Sequence, residues 1–80
     1  MKKKIKLDTI IQIQKLNKLA NSCEADVIIS SGRYNVDAKS IMGILSLSLD
    51  KEVDIELYDT NEKECERFVS SLNSLGVIVE

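Results

Sequence analysis

The chain has 80 residues, 44% of them hydrophobic and 30% charged, which suits one small domain over residues 1–80 and leaves no room for a second. A formal charge of −2 with a pI near 5.1 argues against nucleic acid as a partner, since that needs a concentrated basic face. No run reaches the ~20 apolar residues of a membrane span, Ile5 is followed at once by Lys6 so no signal-peptide core follows the N-terminal lysines, and Cys23 and Cys65 stand at neither a metal-ligand nor a disulfide-framework spacing. The expectation is a reducing, cytoplasmic setting, with no metal and no cofactor.

Lys2 to Leu7 alternates, with Ile5 and Leu7 on one face and Lys4 and Lys6 on the other, as a half-buried strand does. The cluster Lys2, Lys3, Lys4 and Lys6 then reads as the solvated side of an edge strand and its terminus. Thr9 with Gln12 three residues on fits a capping box. The helix it opens runs to about Ser22, with Ile10, Ile13, Leu16, Ala20 and Cys23 inward, Leu19 on the same broad face, and Gln14, Lys15, Asn17, Lys18 and Asn21 outward.

Ala25 to Ser30 is β-branched and apolar, Ser31-Gly32 is a turn, and Arg33 to Val36 alternates again, so this region reads as a hairpin. Ser40 stands directly before a short apolar run and is an N-cap, its oxygen accepting from the first helical turn. Ile41, Ile44 and Leu45 follow at helical spacing and Leu47 closes the face. Asp50-Lys51 gives a turn, and Val53, Ile55 and Leu57 alternate with Asp54, Glu56 and Tyr58 as a fourth strand. Thr60 or Asn61 opens the last helix, with Glu62 and Glu64 at its positive end. Its core stripe is Cys65, Phe68, Val69 and Leu72, Gly76 stops it, and Val77 to Val79 is an apolar tail along the sheet. Both cysteines fall on apolar faces, as buried small hydrophobes. The order is β-α-β-β-α-β-α, an α+β chain in which three helices cover one face of an antiparallel sheet.

The wording around Ser40 is more specific than its periodicity. Lys39-Ser40-Ile41-Met42-Gly43 followed by Ile44-Leu45-Ser46-Leu47 resembles the regulatory-serine region of HPr, the histidine phosphocarrier of the bacterial phosphoenolpyruvate:sugar phosphotransferase system. The likeness runs back without a gap to Ala25-Asp26-Val27 and more loosely forward through Glu52 to Leu57 and the C-terminal helix. It implies an HPr-like open-faced sandwich, with a four-stranded sheet in which the first strand lies beside the fourth, the fourth beside the second and the second beside the third.

The resemblance has one large gap. The family's active-site motif is a histidine followed by alanine, arginine and proline, and this sequence has no histidine and no proline. Leu7 passes through Asp8-Thr9 straight into Ile10-Ile11-Gln12, a shorter loop than the family's. Phosphohistidine carriage is therefore excluded by composition, and no enzyme is expected. The family's second feature is a serine that an HPr kinase/phosphorylase modifies, and the resemblance makes Ser40 its match and the candidate phosphorylation site, with Lys39, Ile41, Met42 and Leu45 as the implied partner-binding surface and Ile10 and Ile11 extending it. The implied partners are phosphotransferase-system enzymes, the kinase or a transcription regulator. Two alternatives stay open: an HPr-fold interaction or oligomerisation domain with an unrelated role, in which Ser40 is a helix cap and nothing more, and a phosphoryl carrier that uses Asp8 or Thr9.

Overall fold

A computed structural model of the chain describes residues 1–47 and 49–79. Its elements are β1 (Lys2–Ile5), α1 (Ile10–Asn21), β2 (Asp26–Ser31), β3 (Tyr34–Asp37), α2 (Ile41–Leu45), β4 (Val53–Tyr58) and α3 (Glu62–Leu75), in the expected order. All strand pairs are antiparallel, and the sheet order is β1-β4-β2-β3. This is the open-faced arrangement that the resemblance implied.

The pairing of β1 with β4 follows from charge as well as from apolar alternation. On the open face Lys2 stands opposite Glu56 and Lys4 opposite Asp54, and opposite charges directly across a ladder support that register. Lys3 departs from the expected solvated set: it pairs with Ile55 on the covered face and is only half-exposed. β1 ends at Ile5, two residues before the expected Leu7, and just past it the Lys6 amide donates to the Val77 carbonyl at 2.8 Å on the edge that faces away from β4. The Val79 amide in turn donates to the Lys4 carbonyl at 3.1 Å, so the apolar tail does lie along the sheet.

The covered face holds the core. Ile5, Val27, Ile29, Val53, Ile55 and Leu57 come from the sheet, Ile13, Leu16 and Ala20 from α1, Ile44 from α2, and Phe68 and Leu72 from α3, with Leu7, Ala25, Ala38 and Val77 closing the margins. Four readings need correction. Ile10 is 58% exposed, because α1 turns its first residue away from the sheet and docks through Ile13, Leu16 and Ala20. The hairpin loop is Gly32-Arg33 and not Ser31-Gly32, since Ser31 pairs with Tyr34. Gly32 has φ 60° at the first loop position, which a type II′ turn requires and glycine tolerates. Cys23 lies beyond the end of α1, and both cysteines are half-buried at the edge of the core.

The α1 entry is a complete capping box. Thr9 Oγ1 accepts from the Gln12 amide at 3.1 Å, and Gln12 Oε1 accepts from the Thr9 amide at 3.2 Å and the Asp8 amide at 2.7 Å. Thr9→Ala is expected to cost about 1 kcal/mol in urea denaturation, with Thr9→Ser close to wild type. An unchanged midpoint in the alanine variant would make the box a bystander.

Candidate functional site

The site is built at the end of β3. Ala38 carries the backbone one step past the strand by donating to the Val27 carbonyl at 2.8 Å. The chain then turns sharply: Asp37 Oδ1 accepts from the Lys39 amide at 2.9 Å and the Asp37 carbonyl accepts from the Ser40 amide at 3.0 Å. Ser40 is extended, with φ −103° and ψ 112°, and α2 starts immediately after it. Its Oγ accepts from the Gly43 amide at 3.2 Å while its carbonyl accepts from the Ile44 amide at 3.1 Å. An N-cap is the local reason for serine here, as its position before the apolar run implied.

Several groups hold this five-residue helix, which is too short to persist alone. Ile44 is fully buried and plugs α2 into the core. At the far end Ser46 Oγ donates to the Gly43 carbonyl at 2.6 Å. From α1, Asn17 Nδ2 donates to the Ala38 carbonyl at 3.0 Å and Asn21 Nδ2 to the Lys39 carbonyl at 3.1 Å. These two asparagines were expected to face solvent. They instead clamp the turn that presents Ser40, and their i, i+4 spacing on one face of α1 was the available signal.

The Ser40 hydroxyl is at the surface, and its surroundings are open on one side. A side chain at Gly43 would begin 3.4 Å from Ser40 Cβ and 3.5 Å from its Oγ, so the bare glycine leaves the hydroxyl uncovered. Lys39 is half-exposed beside it. Of the apolar neighbours, Met42 is 73% and Leu45 45% exposed, whereas Ile41 is half-buried and packs against the core. Leu47 also packs against the core. Ile10 and Ile11 are both exposed in the first turn of α1.

The α1 entry offers little reactivity. Asp8 Oδ1 lies 3.0 Å from Lys6 Nζ, and Lys6 also donates to the Leu49 carbonyl at 3.0 Å, so the carboxylate is already paired. Thr9 is occupied as the cap. Elsewhere, burial and then the Glu64 carboxylate push the Cys23 thiol up, which disfavours the nucleophilic thiolate. The Tyr58 hydroxyl, donating to Glu56 at 2.9 Å, is held up in the same sense by that hydrogen bond. Among the described residues no three His, Cys, Asp or Glu side chains gather as a metal site, and no helix is long and apolar enough to cross a membrane.

A family profile described as "PTS HPr component phosphorylation site" matches residues 12–75, a stretch that contains Ser40 and leaves out Asp8 and Thr9. The chain belongs to the HPr family. That family comprises phosphocarrier proteins of the phosphotransferase system, whose members interact with other proteins of that system.

Solved HPr structures superpose closely. "HPr-C-His" from Thermoanaerobacter tengcongensis is 19% identical with a TM-score of 0.75, covering 94% of this chain and 93% of its own. A phosphocarrier HPr from Bacillus anthracis is 23% identical with a TM-score of 0.73, covering 94% of each. The Bacillus subtilis catabolite repression protein Crh is 27% identical with a TM-score of 0.63, covering 90% of this chain and 85% of its own, and is described as a dimer with a swapped domain. No curated protein matches the chain by sequence.

Proposed function

We propose that this HPr-family chain is a non-catalytic regulatory module whose affinity for a protein partner is set by phosphorylation of Ser40. The observation that carries the reading is the Ser40 hydroxyl itself: exposed, seated at a helix start, uncovered by Gly43 and flanked by Lys39 and the exposed Met42. A kinase would transfer the γ-phosphoryl group of ATP to Oγ, with ADP leaving and the hydroxyl proton lost. The product adds about −1.5 to −2 charge where the helix dipole and first-turn amides favour it. The domain should stay folded while the surface of Lys39, Ile41, Met42 and Leu45 changes sign and shape for its partner. Exposed methionine suits such an adaptable surface.

A sequence without histidine supplies no imidazole for phosphohistidine carriage. The partners that fit are phosphotransferase-system enzymes, an HPr kinase/phosphorylase or a transcription regulator, all in the cytoplasm. Crh, with its swapped-domain dimer, favours a second reading as an interaction or oligomerisation domain of unrelated role. Carriage on Asp8 or Thr9 is the remote reading, disfavoured by the Lys6 pair and the capping box. Incubation with phosphoenolpyruvate and enzyme I should give no label.

The deciding experiment is incubation with a purified HPr kinase/phosphorylase and ATP, read by intact mass beside a conventional HPr. One added phosphate is expected, and none in Ser40→Ala. If the control is modified and this chain is not, Ser40 is a helix cap and the second reading stands.

A further inference from the structure

The order β1-β4-β2-β3 leaves two sheet edges, and they differ. β1 is partly covered by the C-terminal tail, through the Ile5–Ile78 bridge. β3 has no strand beyond it among the described residues. In a two-residue hairpin the closing pair, here Ser31 and Tyr34, exchanges both of its hydrogen bonds, so alternate residues of β3 turn their backbone groups away from β2. Those residues are Asn35 and Asp37. The Asp37 carbonyl is used by the Ser40 amide, but the Asn35 amide and carbonyl and the Asp37 amide form an outward row. Such a row pairs with another chain unless something blunts it.

This edge reads as its own complement. When Arg33-Tyr34-Asn35-Val36-Asp37 runs antiparallel to a second copy about Asn35, Asn35 faces Asn35, Tyr34 faces Val36, and Arg33 faces Asp37 on both sides. The register places Asn35 in a hydrogen-bonded pair and Tyr34 with Val36 in a non-hydrogen-bonded pair, where side chains approach most closely. An aromatic against a β-branched residue and opposite charges across the ladder are both favourable pairs.

The surroundings agree with that pairing. Tyr34 is 74% exposed. Val36 is opposite the buried Ile29, so Tyr34 and Val36 lie on the covered side of the sheet. There a groove of about 790 Å³ runs beside β3, with Val36 and Leu47 as its apolar lining. Tyr34 of the second copy would reach over Val36 into it. Arg33 forms no ion pair among the described residues, and Asp37 offers a carboxylate whose Oδ1 is held by the Lys39 amide.

We propose that the chain forms a weak two-fold homodimer by antiparallel pairing of β3 with β3 of a second copy, centred on Asn35. It does not depend on Ser40 being modified. The contact is isologous, so it closes at two copies. A five-residue seam belongs below the ~1,200 Å² of standard interfaces, so dimer is expected only at roughly 0.1–1 mM protein.

Sedimentation velocity at about 1 mM tests it, with far-ultraviolet circular dichroism as the check of folding. Arg33→Asp and Asp37→Arg each bring like charges face to face, and each alone should sediment as monomer. An equimolar mixture of the two makes every facing pair opposite again and should restore the dimer. Asn35→Pro removes an amide that makes no bond to β2, and should give a folded monomer. A wild-type chain that stays monomeric overturns the proposal, as does a dimer that persists in either Arg33→Asp or Asn35→Pro, or a mixture of charge variants that stays monomeric. If Asp37→Arg fails to fold for want of the Lys39 amide acceptor, Arg33→Asp and Asn35→Pro decide: monomer in both upholds the pairing, dimer in either overturns it.

Discussion

Phe68→Ala is expected to lower the urea-unfolding midpoint sharply. Phe68 is the one phenylalanine in the sequence, is 1% exposed, and sits at the centre of the α3 stripe against the sheet. Truncating a buried phenylalanine costs about 3–5 kcal/mol, from lost transfer energy and from the cavity that cannot fully collapse. A domain of this length has roughly 4–12 kcal/mol of stability in total, at ~0.05–0.15 kcal/mol per residue. One substitution therefore removes a large share of it. Urea denaturation followed by circular dichroism measures the loss, and Met42→Ala, with its side chain in solvent, should change the midpoint little. Equal effects at Phe68 and Met42 would mean that the core is assigned wrongly.

Ile44→Ala should act locally, and on the site. Ile44 is the only fully buried side chain of α2, whose other anchors are the half-buried Ile41, the Ser40 and Ser46 caps and the two asparagine amides of α1. A cost of about 2–4 kcal/mol falls on a five-residue helix that cannot persist undocked. Amide exchange at Gly43, Ile44 and Ser46, which close on the first turn, should accelerate roughly 30- to 1,000-fold, more than at Val27 or Ile55 in the central strands. Phosphorylation by HPr kinase/phosphorylase should fall although Ser40 is still present, because the kinase would meet a loose segment in place of a presented hydroxyl. Uniform acceleration across sheet and helix would instead make α2 inseparable from the whole fold.

The two results bear on one design of the chain. Stability resides in the face where sheet and helices meet, and function is proposed for the end of β3, where a short helix is held by one buried isoleucine and two asparagines. A change in the first region destabilises the whole domain. A change in the second alters what a partner or kinase encounters.

Much of this was legible in residue order because it depends on neighbours a few positions apart. Alternation in Val53 to Tyr58 placed three side chains in the core and three outside, as the burial pattern of β4 has it. The Thr9–Gln12 box, the Ser40 cap, the acidic first turn of α3 and the left-handed Gly76 at φ 73° are likewise local bonds or dihedral demands. The family likeness around Ser40 was carried by the residues themselves. Tertiary structure decided what depends on residues far apart. Ile10 satisfies helical periodicity with the core stripe, yet α1 docks at an angle that leaves it exposed. Asn17 and Asn21 look like solvent residues until the carbonyls of Ala38 and Lys39 arrive from 21 and 18 residues away. Local chemistry chose the elements and their caps, and the packing of distant strands and helices chose which of their surfaces remain available to a partner.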